Sequence, residues 1–316
     1  MTELEIILYL VGGLIMLFIG AEGLIRGSSN LAIKIGITPL VVGLTVVAFG
    51  TSTPELVVSL KAALLGNSSI SLGNVVGSNI ANIALILGVA ALIKPLDVHA
   101  KVIMREIPIM IGISLLLLLL LLDGELGFID GLVFVSGLIT YTFVNVWMAR
   151  KEKSPEVVKE FKEGLKSKLG IPVSIVLMIA GLGLLILGAN LFVQSAVAIA
   201  KMFNVSDAII GLTIVAIGTS LPELITSIVA AYKKESDIAI GNVVGSNIFN
   251  ILGILGITAL IIPISSAGIS YIDLGVMLFT AIILFPLSRS GFSISRMEGA
   301  LLLAGYAGYI YYLIPK

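Results

Sequence analysis

Gly50-Thr51-Ser52-Thr53-Pro54-Glu55 sets a carboxylate, three hydroxyls and a helix-breaking proline inside a long apolar segment, and the chain spells it again as Gly218-Thr219-Ser220-Leu221-Pro222-Glu223. An ionisable side chain within a membrane segment is costly, so it marks an ion or substrate pathway. Pro54 has no N–H for the carbonyl of Gly50 and its ring clashes there, which predicts a helix broken at that turn. Bare backbone oxygens are tolerated in lipid only where they line a cavity or find a partner. A dehydrated cation is such a partner.

The surrounding composition is that of a membrane protein. Of 316 residues 58% are hydrophobic and only 12% charged, with a mean hydropathy of +1.15, too apolar for a water-soluble core. Nineteen basic and nineteen acidic residues cancel, which points away from nucleic acid and from acidic macromolecules as partners. The absence of cysteine excludes disulfides, thiolate metal sites and a cysteine nucleophile. Met1 to Glu5 is acidic and lacks the basic start of a cleaved signal peptide, so the first span is expected to stay.

Apolar runs on the order of twenty residues fall near 6–25, 38–62, 70–93, 102–122 and 126–149, then near 172–200, 207–231, 238–262, 270–287 and 297–314. Residues 150–170 separate the two sets and hold seven basic side chains and four glutamates. Val157, Phe161, Leu165 and Leu169 recur there every four residues, compatible with either a surface helix or a solvated loop. One internal offset of 168 residues relates the sets without gaps: Gly20 to Gly188, Gly43 to Gly211, Thr45 to Thr213, Glu55 to Glu223, Gly73 to Gly241, Pro95 to Pro263 and Tyr141 to Tyr309. A duplicated unit of five spans re-enters the membrane from the opposite side. The expected fold class is therefore an all-α polytopic membrane protein: ten transmembrane helices as two inverted five-helix repeats, 1–149 and 171–316, with helices 2 and 7 broken. Placing the linker in the cytoplasm leaves only Lys61, Lys201 and Lys316 outside among nineteen lysines and arginines, with both termini extracytoplasmic.

Thr51 and Ser52 precede Glu55 by four and three residues, so hydroxyl and carboxylate share a helical face, and Thr219, Ser220 and Glu223 repeat this. Carboxylates, hydroxyls and carbonyls without imidazole or thiolate suit Ca2+ or Na+ rather than Zn2+ or copper. The third and eighth spans carry Gly73-Asn74-Val75-Val76-Gly77-Ser78-Asn79-Ile80-Ala81-Asn82 and Gly241-Asn242-Val243-Val244-Gly245-Ser246-Asn247-Ile248-Phe249-Asn250. Asn74, Ser78 and Asn82 form one polar stripe and Asn242, Ser246 and Asn250 its copy, able to complete an oxygen shell. Gly73 with Gly77 and Gly241 with Gly245 also read as close helix packing, and a single serine or asparagine as an interhelical hydrogen bond. Two glutamates, each after proline and each preceded by Gly-Thr-Ser, outweigh those readings. His99 reads as a solvated loop residue, Glu22 with Arg26 as a local ion pair, Leu115 to Leu122 as a lipid face, and Trp147, Tyr311 and Tyr312 as an interfacial belt.

At these residues the sequence resembles the sodium/calcium exchanger family. Gly50 to Glu55 with Gly73 to Asn82 match its first α-repeat, Gly218 to Glu223 with Gly241 to Asn250 its second, and the likeness covers essentially the whole chain. The resemblance implies a membrane antiporter, not an enzyme, that exchanges Ca2+ for Na+ by alternating access, the first and sixth spans moving against an ion-binding core. It places the Ca2+ carboxylates at Glu55 and Glu223. Further ligands fall at Thr51, Ser52, Ser78, Thr219, Ser220 and Ser246, with carbonyls near Ala48 and Ala216 and the side chain of Asn82. It implies no cofactor beyond the transported ions and, with so short a linker, no regulatory domain; a monomer in the lipid bilayer is expected. One departure stands out: Asn250 occupies a position where well-known members have aspartate. Two ionised glutamates balance one Ca2+, two Na+ or two H+, whereas three Na+ leave a surplus charge that is costly at midplane. A Ca2+/H+ or other divalent cation/H+ antiporter on the same fold is the alternative.

Overall fold

The computed structural model describes residues 2–151, 169–203 and 216–313. Its helices are α1 (Glu3–Ile35), α2 (Pro39–Thr51), α3 (Thr53–Leu64), α4 (Ser68–Ile93), α5 (Val102–Asp123), α6 (Phe128–Lys151), α7 (Ile171–Met202), α8 (Ala216–Thr219), α9 (Leu221–Tyr232), α10 (Ser236–Ile261), α11 (Tyr271–Arg289) and α12 (Arg296–Leu313). Among the described residues, α1, α4, α5, α6, α7, α10 and α11 are long and apolar enough to cross a bilayer, and the pair α2–α3, bent by 44°, makes an eighth crossing. The protein is a multi-pass membrane protein. α12, expected as a tenth span, is a helix of 18 residues, but Arg296, Glu298 and four tyrosines keep it out of that apolar set. The expected span at 207–231 is described only from Ala216, and Val157, Phe161 and Leu165 of the linker stripe lie outside the described residues.

α1 exceeds the span read from its apolar run because both ends are capped. Thr2 and Glu5 form a reciprocal capping box, and Gly36 stops the helix in a left-handed conformation (φ 74°). Its 33 residues span about 50 Å, longer than the roughly 30 Å of hydrocarbon, so it tilts or projects beyond the bilayer. α1 packs antiparallel on α7 along a seam of small residues spaced by seven: Gly13 against Gly188, Gly20 against Gly181 and Gly27 against Ser174. A Cβ on Gly20 would lie 2.7 Å from the Gly181 carbonyl oxygen, so only glycine lets the two backbones touch.

α4 and α10 form the centre: 72% and 83% of their apolar windows are buried, against 17–33% for the other long helices. Gly241 and Gly245 bring α10 onto α2, where a Cβ on Gly245 would meet the Leu44 carbonyl oxygen at 2.6 Å, as small-residue packing predicts. Among the described residues Gly77 meets nothing comparable. Residues 43–47, 81–87, 102–106 and 250–255 are π-helical, widened turns absent from any periodicity in the sequence. Leu117 and Leu121 are buried while Leu115, Leu119 and Leu122 are exposed, so the leucine run presents one face to lipid and the other to the bundle.

Two short strand pairs tie the helix ends together. β1 (Leu96–Asp97) pairs with β4 (Ser293–Ile294), and β2 (Glu125–Leu126) with β3 (Ile264–Ser265), both antiparallel. α5 runs from β1 to β2, so the pairs sit at opposite ends of the bundle. Leu96 and Ile264, and likewise Glu125 and Ser293, are 168 residues apart, so each strand pair maps onto the other.

Candidate ion-binding site

The proline motifs start new helices instead of kinking old ones. Ser52 (φ −83°, ψ 7°) separates α2 from α3 and Ser220 (φ −89°, ψ 7°) separates α8 from α9, leaving Pro54 and Pro222 in the first turns that follow, where no N–H is required. Glu55 and Glu223 also fall in those first turns, where the helix N-terminus favours negative charge. Both carboxylates are 1% exposed.

Each carboxylate is held across the site by the serine of the other half. Ser52 Oγ donates to Glu223 Oε1 at 2.8 Å, and Ser220 Oγ to Glu55 Oε1 at 3.1 Å. Ser220 Oγ also lies 3.3 Å from Ser78 Oγ on α4. Thr51 Oγ1 lies 3.0 Å from Asn242 Oδ1 and 3.1 Å from the Val47 carbonyl oxygen. The Ala48 carbonyl accepts the Ser52 N–H at 3.0 Å and lies 3.4 Å from Thr51 Oγ1. Thr219 ends α8 and Ala216 opens it; the side chain of Ala216 lies outside the described set.

Asn74 and Asn242, expected to line the shell, brace the broken helices through their nitrogens, while Asn242 Oδ1 accepts from Thr51. Asn74 Nδ2 donates to Ser59 Oγ at 2.9 Å and the Glu55 carbonyl at 3.3 Å; Asn242 Nδ2 donates to Ser227 Oγ at 3.2 Å and the Glu223 carbonyl at 3.4 Å. These contacts fasten the carboxylate-bearing turns to α4 and α10. Two residues not singled out as ligands, Asn79 and Asn247, bridge α4 and α10 and engage Asn250 and Asn82. The polar stripe of the sequence had no place for them, because they sit one position beyond Ser78 and Ser246.

Several buried polar atoms lack a protein partner, among them Ser28 Oγ, Thr226 Oγ1 and Thr258 Oγ1 outside the two repeated motifs and five oxygens within them. Glu55 Oε2, Glu223 Oε2, Ser246 Oγ, Asn82 Oδ1 and Asn250 Oδ1 are buried with no protein partner. Each such oxygen costs about 1–3 kcal/mol. Together they approach the whole net stability of a typical domain, roughly 5–15 kcal/mol. Oxygens of this hard kind suit Ca2+, which takes about six to eight of them. Among the described residues no three His, Cys, Asp or Glu side chains come together, so soft or imidazole-seeking metals have no counterpart set.

The other candidates resolve locally. His99, in a loop and still 65% exposed as a solvated residue would be, has Nε2 3.3 Å from Asp237 Oδ1 in the first turn of α10. Glu22 pairs with Arg26 as its spacing predicts, and also with Lys233 at the end of α9. Trp147, Tyr311 and Tyr312 are exposed.

The sequence profile described as "sodium/calcium exchanger protein" matches residues 5–147 and again 173–314. The sodium/calcium exchanger MaX1 of Methanosarcina acetivorans is 34% identical over 343 aligned residues, covering 96% of this chain and 97% of that protein. Inner membrane protein YrbG of Escherichia coli is 38% identical, covering 97% of both. A solved structure of the sodium-calcium exchanger NCX_Mj superposes with a TM-score of 0.85 at 33% identity, covering 99% of this chain and 100% of that one.

Proposed function

This chain belongs to the sodium/calcium exchanger family, and from that premise we propose that it exchanges Ca2+ for Na+ across the membrane, with Ca2+ held at midplane between Glu55 and Glu223. Two buried carboxylates held crosswise by the serines of opposite halves, with partnerless oxygens on the same repeated motifs, carry this reading. Ca2+ cancels both charges and takes the free oxygens of Glu55, Glu223, Ser246, Asn82 and Asn250, with Thr51, Ser52, Ser78, Thr219, Ser220 and the carbonyls of Ala48 and Ala216 available as ions exchange. Na+ occupies subsets of the same oxygens.

The inverted five-plus-five arrangement, with units 1–149 and 171–316, is supported by hydrogen bonds that recur at the 168-residue offset: Ser52 to Glu223 with Ser220 to Glu55, and Asn74 to Ser59 with Asn242 to Ser227. A site made by two oppositely directed copies can open to either side while its ligands stay in place. The glycine-seamed pair α1–α7 is the body that moves, and the direct backbone contact along its seam suits it to move as one unit. The linker and its basic residues face the cytoplasm and both termini the other side. Cysteines at Lys159 and Asp123 are expected to label from opposite faces, and labelling from one face overturns the topology.

The neutral pair Asn82 and Asn250 gives the alternative its footing, because two carboxylates match two protons as well as two Na+. Uptake of radioactive Ca2+ into proteoliposomes under separate Na+, K+ and H+ gradients decides between them. An outward Na+ gradient is expected to drive uptake. Uptake that follows only an imposed pH gradient assigns the coupling to H+.

A further inference from the structure

We propose that Asn79 and Asn247 are positioning residues that fix the amide orientation of Asn250 and Asn82, so that each presents a carbonyl oxygen to the cation. The inference rests on the ion site proposed above and names residues outside its ligand set.

The chain of hydrogen bonds leaves no freedom. Asn79 Nδ2 donates to the backbone carbonyl of Asn247 at 3.3 Å, and Asn247 Nδ2 donates to that of Asn79 at 3.3 Å. A backbone carbonyl only accepts, so neither amide can turn over without setting oxygen against oxygen. With their nitrogens committed, Oδ1 of Asn79 and Oδ1 of Asn247 face the next asparagine as acceptors. Asn250 Nδ2 donates to the first at 2.9 Å and Asn82 Nδ2 to the second at 2.9 Å. One N–H of each ligand-bearing amide is thereby committed. Its Oδ1 points the other way and is buried without a protein partner. All four side chains are at most 2% exposed, so water does not compete for these bonds.

The consequence is specific to asparagine as a ligand. An amide turned over would aim N–H bonds at a cation and repel it. A carboxylate offers oxygen in either orientation, so a site built with aspartate does not need this device in the same way. Here both neutral positions need it, and the lock is present at both.

The test is a double-mutant cycle on the full-length protein, reading Ca2+ affinity by equilibrium binding of radioactive Ca2+ in detergent and thermal stability alongside. Asn79→Ala removes the acceptor that holds Asn250 and is expected to weaken Ca2+ binding at least tenfold. In an Asn250→Asp background the same Asn79→Ala change is expected to alter affinity less than threefold, because either face of a carboxylate binds. A damaged fold would weaken binding equally in both backgrounds, which overturns the proposal, as does unchanged affinity in Asn79→Ala alone. If Asn79→Ala does not fold, the mirror cycle of Asn247→Ala with Asn82→Asp gives the same reading. Glu55→Gln serves as the control for the site: retained Ca2+ binding there removes the site itself, whereas loss there with wild-type affinity in Asn79→Ala removes only the orientation lock.

Discussion

At the centre of the molecule the carboxylate and asparagine hydrogen bonds recur in both halves; the charged contacts of the periphery do not. Ser52 reaches Glu223 as Ser220 reaches Glu55, and Asn82 meets Asn247 as Asn250 meets Asn79. On the periphery, Glu22 is tied to Arg26 and Lys233, but the positions 168 residues away are Asn190, Gln194 and Leu65, which cannot form that cluster. A third pair stands between these extremes. Tyr141 donates to Glu106 at 2.7 Å and Tyr309 to Asp273 at 2.9 Å, yet the acids are one register apart, since Glu106 corresponds to Leu274 and Asp273 to Arg105. The gradient follows the cost of error. A mispaired oxygen at midplane loses kilocalories, while a charged pair near water is worth about 0–1 kcal/mol, so the ends are free to diverge.

The comparison can be broken most severely at the carboxylates. Glu55→Gln and Glu223→Gln are each expected to abolish measurable Ca2+ exchange in proteoliposomes while the protein remains folded. Removing one partner of a buried charge pair costs roughly 2–5 kcal/mol, or about thirtyfold to several thousandfold in affinity. Transport persisting in both variants would end the case for this site.

Next come the serines that cross between halves. A hydrogen bond to a charged group is worth about 1.5–3 kcal/mol, so Ser52→Ala and Ser220→Ala should each raise the half-saturating Ca2+ concentration by roughly tenfold to a hundredfold. The two effects are expected to agree within about threefold if the halves are equivalent. A large effect in one and none in the other would show that the matched geometry hides unequal function.

The ends should respond on a smaller scale and on one side only. Lys233→Gln breaks the pair from α9 to α1 and is expected to change the ratio of Ca2+ affinities at the two membrane faces about twofold to fivefold, because the half-buried pair is worth on the order of 1 kcal/mol. Leu65→Gln, at the mirrored position, should leave that ratio unchanged. Equal shifts would mean that the ion pair does not distinguish the faces.

The smallest expected effect is at the tyrosines. Tyr141→Phe and Tyr309→Phe each remove one hydrogen bond, so thermal unfolding in detergent should show a loss of about 1 kcal/mol or less without loss of exchange. The buried Tyr141 should lose more than Tyr309, which water can partly compensate.

The helix breaks and both carboxylates were legible because a proline and a glutamate inside an apolar run contradict their surroundings on sight. The 168-residue offset showed which residues correspond. It did not show that Gly13, Gly20 and Gly27 form a seven-residue seam with Gly188, Gly181 and Ser174, although that spacing is written in the chain. Asn74 and Asn242 have a bracing role that the stripe did not show, for a reason rooted in geometry. A stripe at every fourth residue assumes an unbroken α-helix pointing one face at one target, whereas those two amides reach across to the helices that follow the breaks.

What the sequence alone determined is the chemistry: which residue types enter the membrane, in pairs, with hard oxygens and two carboxylates. That information is local, since composition, proline position and a repeat offset need no contacts to be read. Only the tertiary structure decided which atoms are used up and which are left over. Whether an amide shows its oxygen or its nitrogen depends on partners 165 and 171 residues away along the chain, and on π-helical turns that re-aim α4 and α10. Those distant partners commit the nitrogens and leave the oxygens of Asn82 and Asn250 for the cation we propose.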